Sequence, residues 1–183
     1  MPINPDFQRE LMPHSETLRL IGALDVVKTK LSQAAQQWQL LDNTGRVPAS
    51  PPYAALIQHA ADAQTLSRDV MDLTTAWARS AHSTSRVGSA VLTHLATAAT
   101  LSAFAAPHFA ETAETAFSLA RSRNPTDRQY AENRMVIDHA TARAYLRRTS
   151  EALRDAVKEL DRYLDLHRFF PAPVPPKPSP HRL

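Results

Sequence analysis

Histidine and arginine are the residues through which this chain could carry acid–base or phosphate chemistry. Among eight histidines, His139 shares a helical face with Met135 and Ala142, and Arg134 lies five positions before it. An imidazole there can act as general acid or base, and a guanidinium can stabilise charge on a phosphate. The competing reading is a core histidine held by a neighbouring helix. A second group is His108 with Glu111 and Glu114, whose spacing of three places them on one helical face. Metal sites in helical bundles use Glu-x-x-His pairs on facing helices, and no Asp or Glu here precedes a His by three positions. The expectation is therefore no metal and no cofactor. Glu111 and Glu114 are read instead as acids in a first helical turn after Pro107, where negative charge complements the helix dipole. A third group, Arg121, Arg123 and Arg128, surrounds the last interhelical loop and is the candidate contact for an anion or nucleic acid. Arg143, Arg147, Arg148, Arg154, Lys158 and Arg162 follow it. Acids interleave with them from Glu151 to Asp165, the pattern of a solvated face with local ion pairs.

The segment Arg134-Met135-Val136-Ile137-Asp138-His139 resembles the Arg-x4-His signature of HEPN-type ribonucleases, which are all-helical and often dimeric bundles. The resemblance implies RNA cleavage, with Arg134 and His139 acting on the phosphodiester. It covers six residues, with Met135 where that family often carries a polar residue, and the same spacing recurs at Arg9 to His14 and Arg162 to His167.

Whatever the chemistry, long helices must position it. The 183 residues suit one domain, and 43% hydrophobic with 21% charged content is ordinary for a soluble globular chain. Cysteine is absent, which excludes a thiol nucleophile, a disulfide framework and a Cys-type zinc site. A net charge of +3 is too small to imply nucleic acid. Arginine outnumbers lysine 17 to 4, which points to a GC-rich bacterial genome. The N-terminus shows no secretory pattern, so the cytoplasm is expected. Only three glycines occur, and six of the fourteen prolines follow Phe170; breakers this sparse favour helices over a sheet.

The first helix is expected from Ser15 as N-cap, with Leu20, Leu24, Val27, Leu31, Ala34, Trp38 and Leu41 as a heptad seam and Asn43-Thr44-Gly45 as its end. Ser50-Pro51 opens a second helix, whose inner face is Leu56, Ala60, Ala63, Leu66, Val70, Leu73 and Trp77. His82 to Ser85 is the expected turn into the third. No Gly or Pro marks that turn, so one continuous helix across residues 53–106 is the alternative. A kink or restart is expected at Pro107, followed by Phe109, Ala113, Ala116, Phe117 and Ala120 facing inward. Thr126 and Gln129 form a capping box for a last helix reaching Phe169. Its seam is Met135, Ala142, Leu146, Leu153, Ala156, Leu160 and Tyr163.

Val87 to Ala110 contains no Asp, Glu, Lys or Arg. Its length suits a membrane span, but His94, His108, Pro107 and its hydroxyls favour a central helix shielded on most of its circumference. The expected architecture is all-α: an N-terminal arm over 1–14, a bundle of four long antiparallel helices over 15–170, and a proline-rich extended tail over 171–183. The expected function is a cytoplasmic, non-enzymatic interaction or assembly protein with a protein partner, self-association included, and no membrane. RNA cleavage through Arg134 and His139, and nucleic-acid-binding regulation, are the alternatives.

Overall fold

The computed structural model describes residues 12–169, the last three as backbone only. The arm before Met12 and the tail 171–183 lie outside the described residues. Within them the chain forms four helices packed on one another and no strand: α1 (His14–Gln37), α2 (Tyr53–Ala78), α3 (Arg86–Leu119) and α4 (Pro125–Phe169). Helix α3, which carries the uncharged stretch Val87 to Ala110, packs between α2 and α4, α1 lies against α4, and the α1–α2 seam is the thinnest.

The seams follow the apolar periodicity. Leu24, Val27, Leu31 and Ala34 of α1 are buried, as are Leu56, Ala63, Leu66, Val70 and Trp77 of α2. All seven expected seam residues of α4 are buried. Each fully buried Leu or Val removes apolar surface worth about 1.5–3 kcal/mol from water. Hydroxyls tie the seams at intervals: Ser32 to Ser150 at 2.7 Å between α1 and α4, and Ser67 to Ser102 at 3.1 Å between α2 and α3. Tyr163 Oη donates to the Met12 carbonyl at 3.2 Å.

The helix ends differ from expectation in instructive ways. α1 stops at Gln37, before the Asn43-Thr44-Gly45 turn, so the heptad phase is lost and Leu40 is buried while Leu41 is 40% exposed. Arg143 of α4 supplies the missing cap: its Nε donates to the Ala35 carbonyl at 2.7 Å, one of the last-turn carbonyls that lack a helical donor. Gly45 takes φ 76°, where only glycine is unstrained, and Asp42 Oδ1 accepts from the Thr44 and Arg46 amides. α2 begins after Pro52 with no side-chain cap, so Ser50 does not serve as one. At α4 the cap is Asn124, whose Oδ1 accepts from the Thr126 amide at 2.9 Å; Pro125 takes the first helical position and Gln129 Nε2 donates to Asn133 Oδ1, so the expected Thr126–Gln129 capping box does not open the helix.

Two helices, not one, cover residues 53–106. Ser85 caps α3 by accepting from the Gly88 amide at 3.0 Å, and Gly88 returns its carbonyl to Trp77 Nε1 at 3.0 Å. A Cβ on Gly88 would stand 1.8 Å from the His82 carbonyl oxygen, so the turn closes on glycine's bare backbone.

Pro107 does not restart the helix. α3 runs unbroken through it, because the hydrogen bond it removes is to Ala103, which is exposed and open to water. The inward residues beyond it are Phe109, Ala113, Ala116 and Leu119; Phe117 is 46% exposed, and Ala120 is exposed as well. Nor is α3 shielded on most of its circumference. It is long and apolar enough to cross a membrane, a test that core helices of soluble proteins also pass, and only 33% of its most apolar window is buried.

Candidate functional site

Three places on the bundle concentrate chemistry or exposed apolar surface. The first is the layer around His139. Residues of two buried clusters meet there: Leu40, Leu56, Ala113 and Met135 below, and Ala63, Phe109 and Ala142 above. Between them Trp38 stacks on His59 at 4.8 Å, and Phe109 meets His139 edge-on at 5.3 Å. The two imidazoles are 6.3 Å apart. His139 is 2% exposed, and its Nε2, like Nδ1 of His59, is buried without a hydrogen-bond partner. Burial foremost, then the Arg143 and His59 charges, hold the His139 imidazole down at about 4. Burial also lowers His59, partly offset by Asp62. Both rings therefore favour the neutral form at neutral pH, His139 buried and His59 half-buried, and both are packed among aromatic rings.

Arg134 and His139 point to different places. The Arg134 side chain is 65% exposed and pairs with Asp138 at 3.5 Å, whereas His139 faces the interior. Five residues along a helix turn the side-chain direction by about 140°, so the spacing that resembles a ribonuclease signature sets the two groups on separate sides of α4. The three loop arginines are likewise not gathered. Arg121 lies over the Phe117 ring at 4.0 Å, Arg128 pairs with Glu132 and donates to the Ala49 carbonyl, and Arg123 is exposed.

The second place joins α3 to α4. His108 Nδ1 lies 3.3 Å from Glu111 Oε2 and 3.8 Å from Asp138 Oδ1, and the three donor atoms all fall within 4.8 Å of one another. Glu111 therefore does not sit in a first turn after Pro107; it is mid-helix, one turn beyond His108. The contacts are of ion-pair length without hydrogen-bond alignment, which leaves His108 Nδ1 and Asp138 Oδ2 buried and without a hydrogen bond. The Tyr145 ring stacks on His108 at 5.8 Å and is backed by Phe104 at 5.3 Å. His108 and Glu111 are visible in the sequence as a pair. Asp138 is not, because nothing local sets the register of α4 against α3.

The third place is the α2–α3 seam. A groove of about 580 Å³ is lined by Ile57, Ala61 and Gln64 from α2 and Ala103, Pro107 and Ala110 from α3. At one end Tyr53 and Phe117, each nearly half exposed, touch at 5.6 Å. The exposed face of α3 beside it carries Thr93, Ala96, Thr97, Thr100 and Ala103 and no charge from Val87 to Ala110. No family model, curated protein or solved structure matches the chain.

Proposed function

We propose that this chain is a non-enzymatic assembly module of the cytoplasm that pairs with a second copy of itself through the α2–α3 groove. The observation that carries the reading is the exposed, charge-free face of α3 beside that groove. A two-fold interface sets the same patch against itself. A charged patch would meet like charge there, and this one meets none. The small side chains Ala103, Pro107 and Ala110 leave room for a partner helix to approach closely. Ile57, Tyr53 and Phe117 give it exposed apolar surface to cover, as an interface core requires. Cross-helix pairs support the antiparallel reading of the bundle: Tyr53 with Phe117 and Ser67 with Ser102, then Ser32 with Ser150 and Ala35 with Arg143.

Sizing by light scattering tests the proposal. The purified chain is expected to be a dimer at micromolar concentration. Ala103→Glu together with Ala110→Glu is expected to give a monomer with unchanged helix content, since both positions are exposed. A wild type that stays monomeric at every accessible concentration, or that floats with lipid vesicles, removes the reading. Salt-sensitive retention on DNA by a monomer would favour nucleic-acid binding in its place.

A further inference from the structure

We infer that His108, Glu111 and Asp138 form a binding site for a divalent first-row transition-metal ion, of the zinc type, clamping α3 to α4. The donor set is one imidazole nitrogen and two carboxylate oxygens, which suits borderline ions over magnesium or calcium, whose sites are built from oxygen alone. A tetrahedral ion with bonds near 2.0–2.1 Å needs neighbouring donors about 3.3 Å apart. His108 Nδ1 and Glu111 Oε2 already stand 3.3 Å apart. Asp138 Oδ1 stands 3.8 Å from the same nitrogen, and the three donors lie within 4.8 Å of one another, so the carboxylates must close by up to about 1.5 Å, a movement made by side-chain torsions.

The surroundings prepare these donors. Tyr145 stacked on the imidazole, with Phe104 behind it, fixes the ring plane. Arg134 Nε approaches Asp138 Oδ2 at 3.5 Å while Oδ1 is turned toward His108, so the carboxylate is oriented by an outer partner as metal-binding carboxylates commonly are. Two carboxylates beside one arginine leave a net negative site. The buried His108 Nδ1, which has no hydrogen bond, is the polar group whose cost a bound cation would relieve. His108 and Glu111 side chains are 29% and 43% exposed, which leaves an entry path and a coordination position for water. The site joins α3 to α4 and shares no residue with the lining of the α2–α3 groove, so zinc uptake and self-association are read out separately.

Zinc titration of the untagged, chelator-stripped full chain, followed by calorimetry, tests the site. One Zn2+ per chain is expected to bind. The melting temperature should rise with zinc concentration, because an ion that binds the folded state stabilises it by mass action. Cobalt in place of zinc is expected to give the visible absorption of a low-symmetry N,O site. Asp138→Asn and Glu111→Gln should each weaken binding by more than the about 10–100-fold typical of outer-shell partners. His94→Ala, a histidine elsewhere on α3, should leave it unchanged. All of these positions are partly open to solvent, and circular dichroism checks that each variant folds. Absence of saturable zinc uptake overturns the inference, and so does uptake that Asp138→Asn and Glu111→Gln leave intact or that magnesium matches.

Discussion

His139 shows how one side chain changes meaning with its surroundings. On sequence it is the best acid–base candidate; in the fold it is a neutral ring packed against His59 and Phe109. The consequence is acid sensitivity. Its folded pKa of about 4 lies below the ordinary 6.5, so the unfolded chain binds the proton first as pH falls. Stability is therefore fully present above 6.5 and is lost progressively down to about 4. Thermal melts of the wild type should show this decline, and His139→Leu should flatten it in part, with His59 and the lowered carboxylates Asp42 and Asp155 contributing to the rest. Superimposable pH profiles for the two proteins would refute the assignment. Arg143 gives the complementary lesson: a residue that reads as part of a basic surface stripe is spent on the Ala35 carbonyl at the end of α1.

At the level of the elements, helix existence follows from periodicity, and helix ends follow from single contacts. The α2–α3 turn is the sharpest example, since it holds Ser85, Gly88 and Trp77 in one set of reciprocal bonds. Gly88→Ala should gain about 1 kcal/mol of helix propensity. It should still lose more, because the new methyl meets the His82 carbonyl at 1.8 Å. A net destabilisation of about 1–3 kcal/mol is expected from such overpacking, read by chemical denaturation. A neutral or stabilising result would mean that the turn relaxes freely. Pro107 teaches the opposite: a residue that usually breaks helices is carried through because its lost bond falls on the exposed side of α3.

For the molecule as a whole, the uncharged stretch of α3 has one buried face and one open face. One face, with Val91, Leu95, Ala98 and Phe109, is fully buried core or nearly so. The other lies open along the α2–α3 groove, and self-association through it should be insensitive to salt. Ionic screening weakens contacts between exposed charges, and this face has none over Val87 to Ala110. The dimer dissociation constant is therefore expected to change less than about threefold, under 0.7 kcal/mol by the usual tenfold-per-1.4 kcal/mol conversion, between low and high salt. A steep salt dependence would move the interface to the charged face of α4.

The four helices and most of the buried seam residues are legible in the chain because each depends on neighbours within a few residues. Apolar side chains at steps of three and four bury wherever the helix docks, as the full set from Met135 to Tyr163 does on α4. The sites are less legible, because each needs a register between helices. His108 and Glu111 are close by helical geometry alone, and Asp138 joins them only when α4 is set against α3. Arg134 and His139 are near in sequence and diverge in space, since a helix rotates five residues through most of a half-turn. The charge-free stretch is plain in the composition, while which of its faces stays open depends on how α2 and α4 cover it. Local pattern encodes what a segment becomes, and packing across the bundle assigns what its side chains can meet.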